Sequence, residues 1–228
     1  MRKIAITLLA VAIVFGMSMG AMAGNEATIE QDGTDLDARI EQVGTENIAE
    51  IIESGLGYST HDDWLANSLV EQEGTAKEAS IDVDGDSGNN TVYTRIDQSG
   101  EENFADIERH FSAGNGVSTT AEIIQDGYDN SATVYDTTHA GTVFIDQEGD
   151  QNEADVTSYG PGTNHSYLVQ EGNYNTINLE QDPDGWNTND ATLEQFGDNN
   201  TIDVDQGGGD TALVTQDGDD NEAEVIQN

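Results

Sequence analysis

Asp82, Asp84 and Asp86 alternate along Asp82-Val83-Asp84-Gly85-Asp86-Ser87-Gly88 as the first ligands of a calcium loop do, and they are the candidate metal-binding residues of this chain. Carboxylates at alternate positions around a turning glycine suit a hard cation, but the twelfth position, where a bidentate glutamate should close the loop, is Tyr93. The expectation is a weak calcium position, with no cofactor beyond non-specific divalent cations. His61, His110, His139 and His165 show no metal-like spacing, and no nucleophile elbow, phosphate loop or zinc motif is present. Nothing in the sequence points to an enzyme.

The residues that do recur at fixed spacing are amides, whose chemistry is hydrogen bonding. Glutamine stands at Gln31, Gln42, Gln72, Gln98, Gln125, Gln147, Gln170, Gln195 and Gln216. Two residues on comes a glycine each time: Gly33, Gly44, Gly74, Gly100, Gly127, Gly149, Gly172, Gly197 and Gly218. Five residues past the glutamine comes asparagine in seven copies, Asn47, Asn103, Asn130, Asn152, Asn175, Asn200 and Asn221, with Leu36 and Lys77 in the other two. A short unit repeated in this way marks an array rather than a single globular core.

The elements that must carry these amides follow from the apolar residues around them. Apolar, small or amide residues fall at minus four, minus two and zero from the glutamine, then at plus five, plus seven and plus nine, a period of two that puts them on one face of a strand. Turn-forming residues lie between, as in Asp126-Gly127-Tyr128-Asp129. Each unit therefore reads strand, tight glycine arc, strand. One such unit has too narrow an apolar face to stand alone and must stack on its neighbours. The predicted fold is all-β, a two-sided β-solenoid with the stacked geometry of amyloid-like cross-β structure. In this reading the strand ending at Gln42 closes the arc of the Gln31 copy and opens the next, giving 17 strand segments, or 8.5 two-strand turns, over about 40 Å. The variable lengths lie in return arcs, such as residues 54–67, 84–91 and 109–120, which also hold Trp64. Buried amides left unpaired would each cost about 1–3 kcal/mol. Stacked in register, each donates to one neighbouring copy and accepts from the other.

Residues 1–23 carry Arg2 and Lys3, an apolar run and Ala21-Met22-Ala23, which predicts a secretory signal peptide, with the repeat region occupying residues 24–228 and no integral membrane span after its removal. The formal charge is −40, and about −42 without Arg2 and Lys3. Such a charge excludes nucleic acid as a partner and points to cations or a salty medium. There is no cysteine, so stacking rather than disulfides must hold the fold. In-pattern residues run from Ala27 to Gln227, so neither end reads as capped, and open strand edges recruit further strands.

The repeat resembles the curlin repeat of curli subunits, the extracellular amyloid fibres of bacterial biofilms; Gln216, Gly218, Asn221, Ala223 and Gln227 match it in full. The final glutamine is replaced in several copies, by Glu53, Val83, Arg109, Asp136 and Ser158. The resemblance implies a secreted structural subunit, major or nucleating, that polymerises with itself and a second curlin-type subunit. It also implies export through curli-type secretion machinery and an extracellular fibre at the bacterial cell surface, serving adhesion and biofilm matrix formation. The alternative is a monomeric, secreted acidic β-solenoid that binds calcium or acts as an adhesin. A sugar-cleaving β-helix would need a cleft with paired acids, which a narrow two-sided coil does not offer.

Outward positions minus one and plus eight are often acidic, which stacks carboxylates at strand spacing. Two unit charges at this spacing repel by roughly 0.9 kcal/mol in water. Salt, calcium or low pH is therefore expected to favour assembly.

Overall fold

The computed structural model describes residues 11–14, 24–31, 36–54, 65–84, 91–109, 118–137, 141–158, 164–182 and 188–227. Its strands are β1 (Val11–Val14), β2 (Leu36–Thr45), β3 (Leu65–Thr75), β4 (Thr91–Glu101), β5 (Phe104–Ala105), β6 (Ser118–Tyr128), β7 (Ser131–Ala132), β8 (Thr142–Asp150), β9 (Glu153–Ser158), β10 (His165–Glu171), β11 (Thr176–Asp182), β12 (Asp190–Phe196), β13 (Thr201–Gly207), β14 (Thr211–Asp217) and β15 (Glu222–Gln227). Two sheets form, one ordered β1-β2-β3-β4-β6-β8-β10-β12-β14 and the other β15-β13-β11-β9-β7-β5. All pairing is parallel and, from β2 onward, every step joins equivalent positions of successive copies, as in Gln147↔Gln170↔Gln195↔Gln216. The chain is a β-solenoid, and the described residues contain no helix.

The second sheet continues past β5 through residues 77–83, 47–53 and 24–31, held by backbone bonds such as Glu78 N to Asn103 O at 3.1 Å, Ile48 N to Lys77 O at 2.6 Å and Thr28 N to Ala49 O at 3.0 Å. The first sheet thus has eight arms from β2 to β14, and the second has nine. Between them lies a core of alternating residues: Ile40, Val70, Ile96, Ile123, Ile145, Leu168 and Leu193 from one sheet face Ile51, Ile81, Ile107, Val134, Val156, Leu179 and Val204 from the other. Each such side chain taken from water contributes about 1.5–3 kcal/mol, which lets so polar a chain fold.

One sequence expectation is corrected here. Residues 25–31 do not open a first-sheet arm at Gln31; they bond to residues 47–51 as an arm of the second sheet. Asn25, Ala27, Ile29 and Gln31 stand in register with Asn47, Ala49, Ile51 and Glu53, so Gln31 occupies the plus-eleven position. The strand ending at Gln42 belongs to the first sheet alone. A glutamine two residues after isoleucine fits either arm, and Asn25 decides the matter by continuing the asparagine column: Asn47 N donates to Asn25 Oδ1 at 3.2 Å.

The glycines at plus two are required by packing. Gly44 has φ 122°, and a Cβ there would stand 1.8 Å from Gly74 O; at Gly100 it would meet Gly127 O at 2.0 Å. The backbones of successive arcs lie directly on one another, and no side chain fits between them. A second left-handed residue follows at plus four in each described arc, and there it is not glycine: Glu46, Ala76, Glu102, Asp129, Gln151, Tyr174, Asn199 and Asp220 have φ between 56° and 62°.

Candidate functional site

Eight of the nine predicted glutamines, all but Gln31, converge on one continuous line. Gln42 Nε2 donates to Gln72 Oε1 at 2.8 Å, Gln72 to Gln98 at 2.9 Å, Gln98 to Gln125, Gln125 to Gln147 and Gln147 to Gln170 each at 2.8 Å, then Gln170 to Gln195 and Gln195 to Gln216 each at 3.0 Å. Several of the same amides also donate across the coil to the carbonyl at plus six, as Gln72 does to Ile48 O at 2.9 Å and Gln195 to Thr176 O at 3.1 Å. The ladder therefore ties each copy to the next, and Gln72, Gln147, Gln170, Gln195 and Gln216 also tie one sheet to the other. At zero to two per cent exposure from Gln42 to Gln195, these amides sit where an unmet hydrogen bond would be expensive.

The asparagines form a second line at the arcs. Asn130, Asn152, Asn175, Asn200 and Asn221 each donate a backbone N–H to the preceding asparagine Oδ1, at 2.9–3.1 Å. The side-chain Nδ2 groups of Asn47, Asn103, Asn130, Asn152 and Asn175 reach the glycine carbonyl of the next arc, as Asn130 does to Gly149 O at 2.7 Å. Lys77, which breaks the pattern in sequence, keeps half of this function. Its side chain is buried at one per cent exposure, its backbone N–H donates to Asn47 Oδ1, and its Nζ donates to Gly100 O as an asparagine would. A lysine has no acceptor, so it cannot serve the next copy's N–H. Burial holds the Lys77 ammonium below the usual lysine range, with Glu101, Asp126 and Glu73 opposing.

The plus-eleven column is where the copies differ most, and all of its described members from Glu53 to Gln206 are buried. Near the C-terminal end it is an amide line again, with Gln181 donating to Gln206 at 2.9 Å and Gln206 to Gln227 at 3.1 Å. Towards the other end it holds Glu53, Val83, Arg109, Asp136 and Ser158, all at one per cent exposure or less. Arg109 Nη2 and Asp136 Oδ2 form a buried ion pair at 3.5 Å. Burial lowers the Arg109 guanidinium, and Asp136 works against that. Burial raises the Glu53 carboxyl to about 7; the Ser68 hydroxyl beside it opposes the rise and Asp37 adds to it. Sequence reasoning saw these residues as departures and missed that period two keeps them inside. It also missed Asn164 and Asn189 in the return arcs; Asn189 Oδ1 accepts the N–H groups of Gly209 and Asp210 at 2.7 and 3.0 Å.

The outward faces carry the carboxylates. Arg95 bridges three copies, bonding Glu71 at 3.1 Å, Asp97 at 2.5 Å and Glu122 at 2.6 Å. Burial works to lower this guanidinium, and the three carboxylates outweigh it and raise it. Asp97, Asp106 and Asp146 are each raised, first by burial and then by neighbouring acids such as Glu148 for Asp146. Asp82 belongs to such a row, its charge acting on Asp106. Asp84 is exposed at the end of the second-sheet arm, while Asp86 and Gly33 lie outside the described residues. Among the described residues no group of three or more His, Asp or Glu is placed to hold a metal ion, and no helix is long and apolar enough to cross a membrane.

A parallel two-sided coil whose buried glutamines, asparagines and glycines each form a column is an amide-laddered β-solenoid, a structural fold. The family model for the curlin associated repeat matches residues 118–160 and 187–208, which span β6 to β9 and the whole of β12 and β13. Those two stretches carry the curlin associated repeat. The copies around Gln42, Gln72, Gln98, Gln170 and Gln216, outside the matched stretches, share the same ladder and the same left-handed glycine. No curated protein and no solved structure matches the chain.

Proposed function

We propose that this protein is exported by way of residues 1–23 and, from residue 24 onward, serves as the non-enzymatic structural subunit of an extracellular curli-like amyloid fibre, promoting adhesion and biofilm cohesion at a bacterial cell surface. The observation that carries this is the seven-step glutamine ladder: among the described residues β14 and β15 are the edge strands of their sheets and are still in pattern. Edges of this kind template further strands. The 17 predicted segments correspond to the eight and nine arms of the two sheets. The residues Gln42, Gln72, Gln98, Gln125, Gln147, Gln170, Gln195 and Gln216, together with the asparagine column, act as assembly residues, because each new copy that stacks in register satisfies them. Gln31 contributes from the second sheet. A second curlin-type subunit and the curli secretion machinery are its partners, and salt or divalent cations relieve the repulsion between carboxylate rows.

The test is fibre diffraction on the secreted chain, incubated at neutral pH with and without marine-level salt and calcium. Aligned filaments with reflections near 4.7 and 10 Å, forming faster with cations, are expected. A clear solution of β-rich monomers in salt and calcium would overturn the fibre reading in favour of a cation-binding monomer. Equally fast growth in low salt would remove the role given to cations.

A further inference from the structure

Among the described residues from 24 onward the coil has an odd number of arms, and this makes its two ends unlike. At the C-terminal end β14 and β15 finish together, so that end is flush. At the other end residues 25–31 extend the second sheet by one arm for which the first sheet has no counterpart among the described residues from 24 onward. In the full chain β1 fills that place, pairing in parallel with β2 from Val11↔Arg39 to Val14↔Gln42. The side chains beneath are unfinished: Gln42 is one per cent exposed, yet its Oε1 has no hydrogen-bond partner among the described residues, and neither amide atom of Gln31 has one.

We infer that, once residues 1–23 are gone, a second copy of this chain occupies the place beside β2, the two copies joining through their N-terminal ends about a two-fold axis that runs along the strands. This rests on the fibre and leader reading above. A flush end laid on a stepped end leaves one arm's width empty at every junction. Two stepped ends interlock. The rotation exchanges the sheets, so residues 25–31 of each copy drop beside β2 of the other, antiparallel, and no gap remains.

Bonds across the coil fix which residues share a level. Ser166 Oγ donates to Gln181 Oε1, minus four against plus eleven, and Gln72 Nε2 donates to Ile48 O, zero against plus six. Applied to the junction, the same levels put Arg39 opposite Glu30, Glu41 opposite Thr28 and Ala38 opposite Gln31 of the other copy. Asn25 arrives at the glycine end of the place, beside Gln42. Charge agrees with this arrangement. Arg39 is one of only four basic residues beyond the leader, all in the first half, and here it meets Glu30. Stacked head to tail in register, the same arm would put Glu26 over Glu222 and Thr28 over Glu224, adding to the carboxylate rows. An isologous contact of this kind is self-complementary by construction. The filament is then non-polar, its stepped ends joined first and its acidic flush ends joined where cations are available.

The native chain has no cysteine, so disulfide mapping starts without background. Thr28→Cys with Glu41→Cys reports the two-fold contact, because these positions lie on opposite faces of one coil and only a second copy brings them within bonding range. Thr28→Cys with Glu224→Cys reports head-to-tail stacking, and Glu41→Cys with Thr215→Cys reports head-to-tail stacking with residues 25–31 displaced. Each pair is oxidised in the exported chain, whose N-terminus is read by sequencing, and in the unprocessed 1–228 chain. The expected result is a covalent dimer from the 28–41 pair in the exported chain, at least tenfold above either other pair, and none from the unprocessed chain. Fibres that cross-link through 28–224 or 41–215 would overturn the inference and leave the fibre reading standing. A 28–41 dimer that never elongates would do the reverse.

Discussion

Replacing Glu53 by glutamine should stabilise the first turns of the coil at pH 8 and leave them unchanged at pH 4. Glu53 is one per cent exposed in the plus-eleven column, and burial raises its carboxyl from 4.5 to about 7. A group with a raised folded-state value costs nothing below its unfolded value, where both states are protonated. The cost grows as pH rises from 4.5 towards 7 and is constant above that. At about 1.4 kcal/mol for each tenfold change, the penalty at pH 8 is about 3 kcal/mol. Glutamine has nearly the same shape, carries no charge and matches Gln181, Gln206 and Gln227 further along the column. Because rungs of a solenoid need not open together, the sharp assay is amide exchange of residues 47–53 in the full chain. Protection there should rise about a hundredfold in Glu53→Gln at pH 8, with no gain at pH 4. Equal protection in the two proteins at pH 8, or a gain independent of pH, would refute the argument that a buried carboxylate weakens this end.

Two further outcomes follow from the core and the arcs. Arg109→Met should cost about 3–5 kcal/mol by removing the cation of the buried Arg109–Asp136 ion pair, whereas Arg109→Gln combined with Asp136→Gln should recover most of that loss, as read from denaturant midpoints. Gly100→Ala, whose Cβ would stand 2.0 Å from Gly127 O, should destabilise by more than about 3 kcal/mol, while Ala76→Gly, at φ 56°, should stabilise by about 1 kcal/mol; thermal unfolding of both variants checks the contrast.

The two-sided coil was legible because period two and the Gln, Gly and Asn offsets leave few other ways to bury Ile, Val and Ala. The columns from Gln42 and Asn47 onward could be traced for the same reason. Other features had no signature in residue type. The left-handed residues at plus four range from Ala76 to Tyr174, because the arc's stacking imposes that backbone whatever side chain stands there. The arm holding Gln31 was misplaced because an isoleucine two residues before a glutamine occurs in both arms; the run Asn25, Ala27, Ile29, Gln31 was the signal that distinguishes them. Glu53, Arg109 and Asp136 read as lost pattern, since a charge in sequence suggests solvent. The coil's alternation overrides that preference and encloses them.

The coil joins its copies through bonds that run along its axis, and this sets how it would bear a pull. Under tension along the fibre, successive rungs act as links in series, and the weakest link gives first. The outer β14 and β15 edges lie within unbroken amide lines. From Glu53 to Ser158 the plus-eleven line has no amide at all, holding a glutamate, a valine, an arginine, an aspartate and a serine. A stretched filament should therefore yield inside each subunit, within its first five rungs, and re-form there when slack, so that these rungs serve as the mechanical fuse.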